Sequence, residues 1–214
     1  KPSSILGFEV GEWHVNHTQV VQYFTTVSAQ SPRAVLINYG TTHEKRPLLM
    51  MAVSSPKNIK QLEKLRDERG GLRNPDFKSN VEKMPVVMYM GHSVHGNEAS
   101  GVNASLISAY HFTAAKEIEE DLENIILLID PAINPDGINR FASWVNSHKS
   151  YYPSGDRNNR ELNEAWPRGR TNHYWFDLNR DWIPVQQPES EGRIAQFQAW
   201  LPNIVLDFHE MGTD

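Results

Sequence analysis

Apolar positions along the chain switch between two periods, and the switches mark out its elements. Asn16 and Thr18 are capping residues ahead of Val20, Val21, Phe24 and Val27, whose spacing predicts a helix to about Ala29. Ala34 to Tyr39 and Pro47 to Ser54 are short apolar runs on either side of residues 40–46, and predict a hairpin. Pro56 opens a charged stretch with Ile59, Leu62 and Leu65 inward, predicting one helix to about Gly70; residues 71–83 read as a polar linker. Val86 to Met90 reads as a buried strand, Glu98 to Ala115 as a helix, and Ile125 to Ile129 as a second buried strand.

From Asp130 to Phe176 the pattern thins and turn chemistry dominates, in Asn134-Pro-Asp-Gly137, Tyr152-Pro-Ser-Gly155 and Trp166-Pro-Arg-Gly169. The aromatic residues of that stretch, Trp144, Trp166 and Trp175 among them, favour a packed and functional loop. Pro188 begins a helix carrying Ile194, Phe197, Trp200 and Leu201, Pro202 ends it, and Ile204 to Phe208 is the last strand. Residues 1–15 read as an irregular arm with Trp13 as anchor. Strands alternating with helices predict an α/β sheet covered on both faces, with ligands gathering at the carboxyl ends of its strands.

Composition narrows the classes of partner. The 214 residues, 39% of them hydrophobic, suffice for one substantial core and are read as a single domain. With 21 basic and 26 acidic residues the net charge is -5, and no Lys/Arg block stands out, which argues against nucleic acid and acidic membrane surfaces. No apolar stretch reaches the roughly 20 residues of a membrane span. Cysteine is absent, so neither a disulfide framework nor a thiolate metal site is possible.

Candidate chemistry collects in Gly91-His-Ser-Val-His-Gly-Asn-Glu-Ala-Ser-Gly101, a strand-to-helix turn. His95 and Glu98 lie three apart across it, and Gly96 and Asn97 are read as taking the tight backbone angles that aim both side chains at one spot. His209, at the end of an apolar strand, would complete a set of three ligands with one position left to water, as in catalytic zinc sites. His92 competes with His95, but the Gly and the helix-opening Glu that follow favour His95. Asn179 and Arg180, closing the long loop, suit recognition of a terminal carboxylate. Arg170 is suited to stabilising the oxyanion of a carbonyl under attack, although a loop-bracing arginine is the simpler alternative and Arg168 is its neighbour in the same role.

His95-Gly-Asn-Glu98, Asn134-Pro-Asp-Gly137, Gly169-Arg170-Thr-Asn, Asp177-Leu-Asn-Arg180 and the strand-terminal His209 occur in the order found in zinc carboxypeptidases of the carboxypeptidase A type, which the chain resembles from about Tyr39 onward. The resemblance implies a three-layer α/β/α fold with a central mixed, mostly parallel sheet, phosphorylase/hydrolase-like. It implies one zinc ion held by His95, Glu98 and His209, Arg170 polarising the scissile carbonyl, and Asn179 with Arg180 binding a peptide's C-terminal carboxylate. Asp177 would be the carboxylate orienting His95, a role with independent sense because metal-bound imidazoles donate their other N–H. In that family the general-base glutamate lies well beyond the third zinc ligand, whereas Asp214 follows His209 by five residues. Residues 1–214 are therefore expected to be the N-terminal major part of a longer catalytic domain, weakly active or inactive alone, and able to self-associate through an unpaired strand edge. The resemblance also implies peptide or protein C-termini as partners and a secreted or periplasmic location. An N-acyl amino acid amidohydrolase resembling aspartoacylase and succinylglutamate desuccinylase, and a non-catalytic peptide-binding relative, are the alternatives.

Overall fold

In the computed structural model, which describes residues 1–78 and 80–211, five strands form one sheet in the order β1-β2-β4-β3-β5. These are β1 (Ala34–Thr41), β2 (Pro47–Val53), β3 (Val86–His92), β4 (Ile125–Asp130) and β5 (Ile204–Phe208). The sheet is mixed, as expected. β1 with β2 and β2 with β4 run antiparallel, and the parallel pairings are confined to the β4-β3-β5 half.

Alternation along the central strands explains why both faces need cover. In β2, Met51 and Val53 point into one core while Met50 and Ala52 point into the other; in β4 the same split separates Leu127 and Ile129 from Ile126 and Leu128. Helices α2 (His17–Gln30), α5 (Ser100–Ala114) and α6 (Pro135–Ser147) cover the first face through Phe24, Leu106 and Ile138. On the second face lie α3 (Pro56–Lys60), α4 (Leu62–Gly71) and α7 (Pro188–Trp200), which supply Ile59, Leu62 and Trp200. Among the described residues, no helix is long and apolar enough to cross a membrane.

The α2 helix starts as its sequence suggests. Asn16 accepts the Gln19 backbone N–H and the Gln19 side chain accepts that of Asn16, a reciprocal capping box. Three expectations are corrected. Residues 56–71 form two helices, because buried Asn58 is drawn to Ser54 Oγ and Glu123 O, and the Gln61 N–H bonds only three residues back to Asn58 O. In the first fifteen residues a one-turn helix, α1 (Ser3–Leu6), is present, and buried Val15 takes the place assigned to Trp13, which is 42% exposed beside Lys149. Asn134-Pro-Asp-Gly137 is not a free turn but the start of α6, with Asn134 as N-cap accepting Gly137 N–H and Pro135 in the first turn. Its apolar positions Ile138, Ala142 and Val145 are buried at helical spacing. Beyond α6 the chain is irregular to residue 187 apart from short 3-10 turns at Arg160–Leu162 and Leu178–Arg180.

Candidate metal centre

Strand order accounts for the meeting of distant residues. β3 and β5 are parallel neighbours in which His92 is paired with Phe208, so the turn after β3 and the residue after β5 leave the sheet side by side. His95, Glu98 and His209 thereby offer one ligand atom each, all within 4.8 Å of one another. His95 Nδ1 lies 2.8 Å from Glu98 Oε1, and His209 Nδ1 lies 3.0 Å from Glu98 Oε2. The far nitrogen of each imidazole faces another carboxylate: His95 Nε2 is 2.9 Å from Asp177 Oδ1, and His209 Nε2 is 3.2 Å from Asp207 Oδ2.

That donor set fits a zinc ion. Tetrahedral ligands at about 2.0–2.1 Å from zinc are roughly 3.3 Å apart, a spacing the two imidazole–Glu98 contacts approach. Both histidines have one nitrogen set by a carboxylate behind it, leaving Nδ1 as the inward donor. Burial pushes the Glu98 carboxyl up, but the Glu210 backbone N–H and the two imidazoles outweigh it and hold the group below its usual range, charged. Asp177 is balanced the same way. Burial raises it, and His95, the Asn179 N–H and Arg170 bring it below the ordinary value.

The turn is built by close approach of backbones. A Cβ on Gly96 would stand 2.3 Å from Gly137 C and Ile138 N and 2.5 Å from Gly169 O, all of them main-chain atoms. The expectation that Gly96 and Asn97 supply unusual backbone angles is corrected, since neither has a positive φ and the left-handed residue is Ser93 at φ 55. Gly96 is needed for space. Beneath the turn, Val94, Ile133 and Leu178 form a small buried cluster that fixes His95 and Asp177, each adjacent to one of its members, against the end of β4.

Arg170 and Arg168 separate clearly. Arg170 Nη1 donates to Glu98 Oε1 at 3.2 Å and Nη2 to Asp177 Oδ2 at 3.4 Å, with its side chain 45% exposed, so it is both tied to the cluster and open to solvent. Arg168 meets the core through its backbone, whose carbonyl accepts from Arg140 Nε. His92 is turned away: it is buried, Nδ1 donates to Asp130 O, the ring stacks on Phe208, and burial pushes its pKa down to about 4. Asn179 joins the group through its N–H, which donates to Asp177 Oδ1 at 2.9 Å. Arg180 does not join: among the described residues its exposed guanidinium bonds only to Asn179 O.

Several residues outside the ligand set hold the site together. Glu164 accepts Asn97 Nδ2 at 2.8 Å and the Gly169 N–H, linking the metal turn to the residue before Arg170. Arg140 donates to the carbonyls of Arg168, Thr171 and Asn172. Asn134 Nδ2 donates to Val94 O at 3.3 Å and Arg170 O at 3.1 Å, so one amide clamps the metal turn, the loop and α6. The Asn-Pro start of α6 could be read as a cap from sequence; the other partners are set by tertiary approach.

An α/β sheet with a His/Glu/His cluster at the carboxyl ends of parallel strands defines a candidate metalloenzyme. The chain belongs to the zinc carboxypeptidase family, whose model matches residues 20–200. Its fold is similar to a metallo-carboxypeptidase from Burkholderia cenocepacia (TM-score 0.56, 16% identity), covering 91% of this chain and 40% of that one. Carboxypeptidase A from Helicoverpa armigera is similar at TM-score 0.58 and 13% identity over 99% of this chain and 52% of that one. Bovine thrombin-activatable fibrinolysis inhibitor, in complex with tick carboxypeptidase inhibitor, gives 0.56 and 15% over 94% and 62%. The chain thus spans about half the length of these structures. No curated protein sequence matches it significantly.

Proposed function

We propose that this chain forms the zinc-holding and carboxylate-recognising part of a metallocarboxypeptidase acting on peptide or protein C-termini. The observation that carries the reading is the convergence of His95, Glu98 and His209 with a carboxylate behind each imidazole. When bound, zinc supplies Lewis acidity toward water and a carbonyl oxygen. Asp177 and Asp207 orient the two imidazoles through the nitrogens they face. Arg170, tethered to Glu98 and Asp177 with its side chain 45% exposed, presents its N–H groups to the substrate carbonyl as negative charge builds there. Asn179 and exposed Arg180 bind the terminal carboxylate, Arg180 by its paired donors.

A carboxylate to take the proton from water is the remaining requirement. Glu210 is engaged elsewhere, its Oε1 accepting the Ser100 N–H at 2.6 Å at the start of α5, where the helix dipole favours it. Asp207 is engaged by His209. We therefore infer that residues 1–214 bind zinc with little or no peptidase turnover. A secreted or periplasmic setting is proposed on the family relationship alone.

Calorimetric titration with zinc tests the reading. One ion is expected to bind per chain, with binding lost in His95→Ala and in His209→Ala and kept in His92→Ala. Equal affinity across wild type, His95→Ala and His209→Ala would remove its basis.

A further inference from the structure

We propose that Trp182, braced by the buried Arg193, is a positioning residue that fixes the Asn179 side-chain amide as a hydrogen-bond donor toward a substrate's terminal carboxylate. The inference rests on the carboxylate-binding role proposed above for Asn179.

An Asn amide can face a ligand with either its oxygen or its NH2, and only the NH2 suits an anion. Here the choice is made by a neighbour that can do nothing but donate. Trp182 Nε1 donates to Asn179 Oδ1 at 3.3 Å, so the oxygen is occupied and Nδ2 keeps both N–H groups for another partner. The reverse orientation would set an N–H against an N–H. The Asn179 backbone N–H is already given to Asp177 Oδ1, which leaves the side chain as this residue's available donor.

The indole is itself immobilised. The Arg193 guanidinium carbon lies 3.9 Å over the ring centre, and Phe197 packs against Trp182 edge-on at 5.3 Å. Arg193 is fully buried on α7, with Nη2 donating to Leu178 O, one residue from Asn179. Its Nε and Nη1 meet no acceptor among the described residues, so the negative face of the indole carries part of the stabilisation of that charge. α7 therefore sets both the backbone of the Leu178–Arg180 turn and the rotamer of the amide within it.

Trp182→Phe keeps a flat ring over Arg193 and deletes the one N–H. With the zinc-loaded chain, binding of the N-acetylated dipeptide Gly-Phe and of its C-terminal amide would be followed by NMR titration. Wild type is expected to prefer the acid. In Trp182→Phe the acid should bind about fivefold to tenfold more weakly, the worth of the one neutral indole–amide hydrogen bond removed, while amide and zinc binding stay unchanged. The Trp182 indole N–H resonance, assigned in wild type and so independent of any variant's folding, should move with the acid and not with the amide. An unchanged acid affinity in Trp182→Phe, or a stationary indole resonance, overturns the positioning role while the acid preference leaves Asn179 its own. A wild-type chain with no preference for acid over amide overturns the carboxylate site, and this proposal with it.

Discussion

Asn134→Asp separates two jobs that one side chain performs. Asp caps helices as well as Asn does, and a negative charge at a helix N-terminus is favourable by about 0.3–1 kcal/mol, so capping alone makes the substitution neutral or better. The clamp predicts the opposite. Asn134 is completely buried, and its Nδ2 serves Val94 O and Arg170 O while Oδ1 serves the Gly137 N–H. A carboxylate keeps the last bond, loses the other two, and faces two carbonyl oxygens with negative charge. The two acceptors left unsatisfied, Val94 O buried and Arg170 O part-buried, cost about 1–3 kcal/mol each, which after the gain from the charge amounts to a net loss of about 1–6 kcal/mol. For a chain of this size the melting temperature falls by about 2–4 °C for each kcal/mol. Urea denaturation of wild type, Asn134→Asp and Asn134→Ala at neutral pH measures this directly. The deficit of Asn134→Asp should narrow as pH falls into the carboxyl range, because a protonated acid regains a donor. Wild-type stability in Asn134→Asp would show that Asn134 is only a cap and that the clamp contributes nothing.

Gly96→Ala would drive a methyl group into three backbone atoms that cannot move aside separately, so a loss of about 3 kcal/mol or more and weaker zinc binding are expected by denaturation and calorimetry. Glu164→Gln leaves one acceptor where Asn97 and the Gly169 N–H need two, and should cost about 1–3 kcal/mol in the same assay, with little further loss on adding Asn97→Ala. His17 is buried, and burial lowers its pKa from 6.5 to about 4. Below pH 6.5 the unfolded chain takes up the proton and the native one does not, so stability present above that pH drains away as pH falls toward 4, by up to about 1.4 kcal/mol per unit. Unfolding free energies at several pH values should show His17→Gln losing about one proton's worth of that slope.

How much was legible in the sequence depended on whether a feature was local. The Asn16 cap, the β1–β2 hairpin and the alternation of β3, α5 and β4 follow from residues close in sequence, and they are present. His95, Glu98 and His209 were recognisable because two sit on one turn and the third ends an apolar strand. What brings them together is the pairing of His92 with Phe208, and no local pattern specifies it. The α6 helix was hidden because Asn-Pro-Asp-Gly is equally good turn chemistry. Only burial of Ile138, Ala142 and Val145 against the sheet decides for a helix. The break at Gln61 has the same origin, since Asn58 prefers tertiary partners to a continuous ladder. Glu164 and Arg140 were silent for a further reason: Arg140 acts on backbone carbonyls and Glu164 on the Gly169 N–H as well as the distant Asn97 amide, partners that leave no trace in residue identity.

His95 and Glu98 belong to a turn wedged among main chains, whereas His209 rides on β5, which among the described residues hydrogen-bonds to β3 alone and exposes Ile204, Val205 and Leu206 at 41%, 45% and 38%. Two jaws are rigid and the third is mounted on the most weakly anchored strand. A cation captured there would act as a rivet, transferring part of its binding free energy into holding the sheet margin shut, and its removal should be felt first as accelerated amide exchange along residues 204–208.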